Sequence, residues 1–197
     1  MIHPATELRF VNPVIGYGVF ATAVIPTGTI VYVQDRLEHV IHPNDPIRQD
    51  PAYKAVIEKY SFRDEAGNYV VSWDFAKYVN HCCHANTLST GYGFEIAVRD
   101  ILPGEEITDE YALFGHEEMP LLCHYADCRQ HLRGNDMQVY GRSWDTRVRQ
   151  ALQHLSQVSQ PLFPYLDAQT YTDLMTYLST GEGYRPLLAD TWHAETV

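Results

Sequence analysis

Positive charge is scarce in this sequence. Lysine and arginine together number 14 among 197 residues, against 25 aspartates and glutamates, so the formal net charge is −11 with histidine neutral. Proteins bind phosphate backbones through clustered lysine and arginine, so this composition argues against direct binding to nucleic acid. The same acidic balance favours a basic protein or peptide as a partner.

Long apolar runs are also missing. No basic segment followed by an apolar one stands at the N-terminus, so no secretory signal is expected. The longest stretch without acidic or basic residues, Phe10 to Gln34, is long enough to raise the question of a membrane span. It contains Pro13, Pro26 and three glycines, which is typical of short strands and turns. We therefore expect a cytoplasmic protein that makes no contact with a membrane.

Cysteine is rare, and its four residues fall in only two places, at Cys82-Cys83 and at Cys123 and Cys128. In a cytosolic chain, grouped cysteines indicate a metal site or reactive thiols more often than disulfides. The alternative is that they are buried as small apolar side chains, above all Cys82.

The patterns that are present are mostly those of short strands. Residues 5–41 alternate apolar runs with glycine and proline turn signals, and residues 69–73 predict a further strand. Residues 93–101 alternate regularly, with Glu95 on the face opposite to their apolar residues. A helix is predicted over 51–60. The sequence thus predicts a mainly β fold of the α+β class.

The pattern changes after about Ser143. Residues 145–157 and 167–178 each predict an amphipathic helix, and Pro161 and Pro164 separate them. We therefore expect a helical C-terminal extension over residues 143–197, in which no catalytic pattern is found.

Three segments together indicate a family. Each is weak alone, because a lone Gly-x-Gly is usually only a turn. They are Gly16-Tyr17-Gly18-Val19-Phe20-Ala21-Thr22, Tyr78-Val79-Asn80-His81-Cys82-Cys83-His84-Ala85-Asn86 and Leu102-Pro103-Gly104-Glu105-Glu106-Ile107-Thr108-Asp109-Glu110-Tyr111. In this order, with strands between them, they resemble the SET-domain family of protein-lysine methyltransferases, specifically its small stand-alone bacterial-type members. The resemblance assigns residues 5–118 to a SET domain and 119–135 to a post-SET-like cysteine segment.

The resemblance implies a fold of short curved sheets with a pseudoknot. In this knot the segment that ends at Tyr111 threads under the loop that carries Asn80 and His81, a rare exception to unthreaded topology. It also implies that S-adenosylmethionine binds in a surface pocket and that a lysine enters through a narrow channel from the opposite face. The expected reaction transfers a methyl group to the ε-amine of a lysine in a basic protein or peptide.

The resemblance also assigns roles to single residues. The expected cofactor-binding residues are Gly16, Tyr17, Gly18, Asn80, His81 and Tyr111. Glycine lets the backbone approach a cofactor closely. Tyr111 matches the catalytic tyrosine of the family. In-line displacement on a sulfonium needs alignment and a neutral amine more than a strong base, so a phenol that orients the amine suffices.

Three residues are candidates for the substrate channel: Tyr60, Tyr69 and Asp109. Aromatic walls tolerate a methylated cation, which favours the two tyrosines. Asp109 stands two residues before Tyr111, where the family often has phenylalanine or tyrosine. This departure leaves the number of methyl groups added open.

The cysteines resemble an incomplete zinc site. Many relatives have a Cys-x-Cys-x4-Cys segment whose thiolates join the cysteine of the Asn-His motif around one structural zinc. Cys83, Cys123 and Cys128 match three of these ligands, and Leu121 replaces the fourth. Three thiolates can hold zinc if an imidazole or a water completes the tetrahedron. The replacements within reach are His124, His131 and Cys82. The alternative is that the thiols are packed and no zinc is bound.

Acidic residues cluster around the expected catalytic residue. Between Glu95 and Glu118 eight residues are acidic and only Arg99 is basic. This run predicts either a solvated acidic face or a surface that steers a basic peptide towards the channel. Two functions remain open: the methyltransferase, and a non-catalytic SET-like protein-interaction module. A pure interaction module would need neither the Asn-His pair nor Tyr111, so their presence favours the enzyme. A small zinc protein would explain only the cysteines.

Overall fold

The computed structural model describes residues 1–64, 66–115 and 118–187. Residues 188–197, the end of the predicted extension, lie outside this part of the chain. Within it the strands and α-helices follow one another as β1 (Thr6–Asn12), β2 (Gly16–Ala21), β3 (Ile30–Val33), β4 (His39–Ile41), α1 (Lys54–Tyr60), β5 (Ser61–Arg63), β6 (Tyr69–Val71), β7 (Asn80–His81), β8 (Thr87–Ser89), β9 (Phe94–Ala97), β10 (Glu106–Asp109), β11 (Met119–Pro120), β12 (His131–Leu132), α2 (Asp136–Leu152) and α3 (Ala168–Thr180). Short 3₁₀ helices lie between several of them, including Phe75–Tyr78 and Tyr111–Phe114.

The strands form small sheets with the orders β1-β2-β10-β7, β3-β9-β8, β4-β6-β5 and β11-β12. Strands β7 and β10 pair in parallel, with Asn80 opposite Thr108 and His81 opposite Asp109, whereas the other named pairs are antiparallel. The parallel pair joins the two segments that the resemblance expects to be threaded. The predicted fold class, mainly β with a helical C-terminal part, is confirmed.

The C-terminal helices complete the main apolar core. Leu88 and Ile96 on β8 and β9 pack in one cluster with Leu152 on α2 and Leu174 on α3. A second cluster lies beside it, between β2, β3 and β10, and consists of Ile2, Val19, Ala21, Ile25, Val31, Ala97, Ile101 and Ile107. Because α2 and α3 cover one face of the sheet β3-β9-β8, burial of that face depends on the C-terminal part of the chain.

Strand β9 departs from the predicted alternation. All four of its residues are buried, including Glu95, which the alternation assigned to the face opposite the apolar one. Both faces of the strand are therefore covered. One face meets the helices, and on the other Glu95 lines a cavity described below.

Two helices begin at positions other than those predicted. Helix α1 starts at Lys54 rather than at residue 51, and α2 runs from Asp136 to Leu152 rather than over 145–157. Gly141 lowers the helix propensity of the first half of α2, but it is buried there together with Trp144, and tertiary packing outweighs propensity. In the described part of the chain, no helix combines the length and the apolar character needed to cross a bilayer.

Gly28 lies where the strand region meets the end of α2. Its φ of +88° is in the left-handed region, and a Cβ at this position would come within 2.8 Å of the backbone carbon of His154 and 2.9 Å of the carbonyl oxygen of Ala151. Gln160 Nε2 donates to the Gly28 carbonyl at 2.7 Å. A side chain at Gly28 would therefore force this junction apart.

We predict that Gly28→Ala lowers the free energy of unfolding by about 3 kcal/mol, as the sum of left-handed strain and a steric clash. The matched control is Gly67→Ala, because Gly67 has a similar φ of +77° but nothing within 4 Å of its Cβ position. The control should lose only about 1 kcal/mol. Urea denaturation measures both losses. Equal losses would show that the junction with α2 tolerates the methyl group.

Candidate active site

A cavity of about 380 Å³ lies where the start of β2, strand β7 and the end of β10 meet. The residues from the three sequence motifs that line it include Gly16, Tyr17, Asn80, His81, Asp109 and Tyr111. Gly18 is the one predicted cofactor residue that is not in the lining. The fold therefore brings together residues that are far apart in the chain.

The parallel pairing of β7 and β10 builds the inner part of this cavity. Beyond the paired residues, Cys82 N donates to the Asp109 carbonyl at 3.0 Å. The rings of His81 and Tyr111 lie 5.4 Å apart, and Tyr111 N approaches His81 Nδ1 at 3.5 Å. His81 is thus a buried neighbour of the predicted catalytic residue.

The two predicted cofactor glycines are needed for different structural reasons. Gly16 has a φ of +87° and borders open space, so its backbone is accessible from the cavity. Gly18 has no room for a side chain, because a Cβ there would collide with Glu106 Oε1 and come within 3.0 Å of Asn80 Nδ2. Gly18 therefore makes room for the side chain of Asn80 rather than bordering the cavity itself.

The two asparagines of the Asn-His motif have different environments. Asn80 Nδ2 donates to the Tyr17 carbonyl at 3.0 Å and to Glu106 Oε1 at 2.7 Å, at the edge of the cavity. Asn86 is buried and brackets β10, since its Nδ2 donates to the Glu106 carbonyl and its Oδ1 accepts from Thr108 N. Asn86 is a structural residue, and Asn80 links two motifs at the cavity.

Tyr111 is suited to donate a hydrogen bond rather than to remove a proton. Its hydroxyl donates to the Val79 carbonyl at 3.0 Å. Burial, and after it the negative charges of Asp109 and Glu106, raise the pKa of Tyr111 well above its ordinary value. The phenol therefore stays protonated at neutral pH, in line with an orienting role.

Aromatic side chains form much of the cavity wall. Tyr78 makes edge contacts with Tyr60 at 5.4 Å and with Tyr17 at 5.9 Å between ring centroids, and Phe62 packs edge-on against Phe114 at 5.6 Å. All five rings line the cavity. Of these, the sequence predicted Tyr60 for the channel and Tyr17 for the cofactor. Sequence reasoning gave no role to Tyr78, although this residue stands two positions before Asn80 in the quoted motif.

Tyr69, the other predicted channel residue, is not among the residues that line the cavity. The guanidinium of Arg48 stacks over its ring at 4.0 Å, and its hydroxyl accepts hydrogen bonds from Arg48 and Arg63. Its position on β6 places it in this arginine cluster. The spacing of tyrosines along the sequence does not distinguish such a residue from a channel wall.

Two buried carboxyl groups border the cavity. Asp109 is 5% exposed, and its Oδ1 has no hydrogen-bond partner among the described residues. Burial, then the charges of Glu95 and Glu110, raise its pKa well above the ordinary value. Burial also raises the pKa of Glu95 to about 7, although a hydrogen bond from Thr87 opposes the shift. Sequence reasoning did not place Glu95 in the site. The one feature that could have indicated it is an acidic residue within an otherwise apolar strand.

Glu110, the residue after Asp109, is compensated instead. Arg129 Nη1 donates to Glu110 Oε2 at 2.8 Å, and Arg129 Nε donates to Asp136 Oδ2 at 2.8 Å. The arginine thus neutralises two buried acids and ties β10 to the start of α2. Adjacent carboxylates on one segment therefore have opposite electrostatic environments.

The acidic run is only in part at the surface, where the sequence predicted either a solvated face or a surface that steers a basic peptide. Glu95, Asp109 and Glu110 are buried, because other elements pack over the strand region at these positions. Glu105 pairs with Arg99. Glu117 lies outside the described residues. Counting charges along a sequence treats every residue as exposed, which is why this expectation was wrong for the buried members.

Three of the cysteines form a compact thiol group. The Sγ atoms of Cys83, Cys123 and Cys128 lie within 4.8 Å of one another, and those of Cys83 and Cys128 are 3.6 Å apart. A zinc tetrahedron with bonds of about 2.3 Å has sulfur–sulfur edges of about 3.8 Å, so the group fits a metal. In the described part of the chain, neither His124 nor His131 belongs to it.

The surroundings shift the pKa values of the thiols in opposite directions. Burial raises the pKa of Cys83 to about 12 and that of Cys82 to about 11. Burial opposes ionisation of the Cys123 thiol, but hydrogen bonds from the amides of Tyr125 and Cys83 and from neighbouring thiols lower its pKa. Arg129 Nη1 is 3.9 Å from Cys83 Sγ. Cys82 Sγ is 3.9 Å from Cys123 Sγ, beside the group rather than within it.

We predict that Glu95→Gln stabilises the protein above neutral pH. A carboxyl group whose folded pKa, about 7, exceeds its unfolded value binds more protons when folded, so its stability contribution is lost as pH rises from about 4.5 to 7. The amide carries no charge and can still accept from Thr87. Chemical denaturation should show the variant more stable by about 3 kcal/mol at about pH 8 and equal to wild type at about pH 4.

The control for this prediction is Glu58→Gln, which removes an exposed carboxylate that lines the same cavity. It should leave stability unchanged at both pH values. A Glu95 variant that matches wild type at high pH would contradict the burial of a raised-pKa carboxyl at this position.

Comparisons with known proteins indicate the family to which this chain is related. A family model for the SET domain matches residues 16–112, which reach from the first glycine of the cavity to just beyond Tyr111. Among solved structures the chain is similar to the methyltransferase domain of the human histone-lysine N-methyltransferase SETMAR, with 18% sequence identity and a TM-score of 0.43, over 68% of this chain and 58% of that chain. This chain therefore spans less than two thirds of the length of that structure. No curated protein matches the sequence.

Proposed function

The chain belongs to the SET-domain family, and on that premise we propose that it is an S-adenosylmethionine-dependent protein-lysine N-methyltransferase. The observation that carries the proposal is the convergence of Gly16, Asn80 and Tyr111 on one cavity. A module that only binds partners needs no such convergence, whereas a transferase requires its donor and acceptor sites to meet. The family match supports a methyltransferase-type function. That the acceptor is a lysine is our proposal.

The residues of the cavity fit the cofactor. Its volume, about 380 Å³, lies within the range of about 300–1,000 Å³ that small-molecule sites occupy. The backbone at Gly16 is open to it, and the carboxyl groups of Asp109 and Glu95 suit a positively charged ligand. When bound, S-adenosylmethionine supplies an electrophilic methyl group on a cationic sulfur. Gly16, Tyr17, Asn80 and His81 are the residues that we propose hold it.

The other residues of the cavity would prepare the acceptor. The aromatic walls around Tyr60 and Tyr78 can enclose the apolar stem of a lysine and keep water away from its amine. The protonated phenol of Tyr111, anchored on the Val79 carbonyl, can orient the reacting nitrogen. Alignment and the exclusion of water are the main contributions that this reaction needs from the protein.

Calorimetric titration with S-adenosylmethionine tests the cofactor site without knowledge of the substrate. Wild type should bind saturably, and Asn80→Ala should bind about tenfold more weakly, because the link between Tyr17 and Asn80 at the cavity edge is lost. The control is Asn68→Ala, whose amide bonds to Asp64 in a turn away from the cavity. No binding by folded wild-type protein would favour the interaction-module function instead.

Tyr111→Phe tests the catalytic assignment. With a lysine-rich peptide mixture that the wild type methylates, the variant should lose about tenfold or more in turnover, because the orienting hydroxyl is gone, while cofactor affinity changes little. Tyr69→Phe is the matched control, since Tyr69 is not in the cavity lining, and it should keep the wild-type rate. An undiminished rate for Tyr111→Phe would contradict the assignment.

We also propose that Cys83, Cys123 and Cys128 hold one structural zinc, with a water as the fourth ligand. Elemental analysis of protein purified without chelator should find about one zinc per chain. Cys128→Ser should lose it, and Cys82→Ser, the neighbouring thiol, should keep it. A stably folded wild type without metal would contradict the site.

A further inference from the structure

The buried carboxyl group of Asp109 borders the cavity, and beyond the negative charge that it shares with Glu95 it has no specific task in the steps above. Asp109 is 5% exposed, and its Oδ1 has no hydrogen-bond donor among the described residues. Its neighbour Glu110 is held by Arg129, so the fold is able to supply a cation for a buried acid on this segment. A buried polar atom without a partner is costly, and such atoms persist at functional sites, where a ligand can supply the missing donor.

The charged surroundings select a cationic ligand. The titratable groups around Asp109 are Glu95 on β9, Glu110 and Tyr111 directly after it, and His81 opposite it on β7. Glu95 and Glu110 both add negative potential at Asp109. Among the ion pairs of the described residues, none includes Asp109 or Glu95. The missing donor is therefore best supplied by a positively charged group that enters the cavity.

The walls select the shape of that ligand. Tyr60, Tyr78, Phe62 and Phe114 present apolar rings to the cavity, which favours a slim apolar stem that carries the charge at its end. One free oxygen suits a single N–H donor better than the planar fork of a guanidinium, which pairs with two acceptors. A primary alkylammonium, the side chain of lysine, meets both requirements.

Resting on the proposed function, we propose that Asp109 Oδ1 receives the ammonium of the substrate lysine and accepts one of its protons. One N–H bond breaks, one O–H bond forms on the carboxylate, and the electron pair stays on nitrogen, which leaves a neutral amine. Between apolar aromatic walls, a neutral amine beside a carboxylic acid is favoured over two buried charges. The acid returns its proton to solvent after the methylated product leaves. The step starts from the ionised form of Asp109, which the positive charge of an arriving ammonium favours. Tyr111 is not the acceptor, because a phenol would first have to lose its own proton and its pKa is raised.

The probe for this proposal is n-butylammonium chloride, which carries the four-carbon stem and the charge of lysine. The uncharged control ligand of the same length is 1-butanol. NMR titration of the wild type should show binding of butylammonium at least about tenfold tighter than of 1-butanol. The carboxyl carbon resonance of Asp109 should move with the amine and not with the alcohol. The nitrogen resonance of bound 15N-labelled butylamine should move towards that of the neutral amine.

Asp109→Asn should abolish the preference for the amine over the alcohol, because the amide carries no charge and accepts no proton. Its melting temperature should not fall, since the replaced Oδ1 has no partner to lose. Glu58→Gln is the matched control. It removes an exposed carboxylate, paired with Lys54, from the lining of the same cavity and should keep the preference.

The proposal is overturned if Asp109→Asn keeps the preference, if the Asp109 carboxyl resonance of the wild type does not respond, or if the bound amine keeps the resonance of free butylammonium. The wild-type resonances decide these points even if the variant fails to fold. Titration of the same samples with S-adenosylmethionine separates the two hypotheses. Cofactor binding without an amine preference refutes only the role of Asp109, whereas an amine preference without cofactor binding refutes the methyltransferase.

Discussion

The parallel pairing of β7 with β10 is the interaction on which the cavity depends. Two very short strands, far apart in sequence, meet with Asn80 opposite Thr108 and His81 opposite Asp109. So few backbone hydrogen bonds need support, and the buried side chain of Asn86 provides it by bonding to β10 on both of its polar atoms. Without this register the Asn-His pair and Tyr111 would not face the same space.

Neighbouring buried carboxyl groups differ in whether a cation compensates their charge. Glu110 and Asp136 share Arg129, which joins the strand region to α2 and contributes to the fold. Asp109 and Glu95 lack such a cation among the described residues and are left with raised pKa values, an arrangement that costs stability. The uncompensated acids are the ones that border the cavity. This contrast is consistent with a site in which stability is given up for binding.

Much of the fold and part of the candidate site were predictable because their signals are local. Glycine and proline turns mark the short strands, and the motifs around Gly16, Asn80 and Tyr111 are contiguous runs of sequence. The burial of Glu95, the diversion of Tyr69 into an arginine cluster and the early start of α2 were not predictable. Each depends on which element covers the residue in question, and that information is not local.

The sequence by itself determined the fold class, the motifs and the residue types available for chemistry, since these follow from composition, spacing and turn signals. Only the tertiary structure decided which carboxylates are solvated and which are buried, because packing between elements sets burial and the period of a strand does not reveal whether both its faces are covered. It also decided that Asp109 and Glu95 share one aromatic-walled cavity, since strands from distant parts of the chain had to pack together to enclose it.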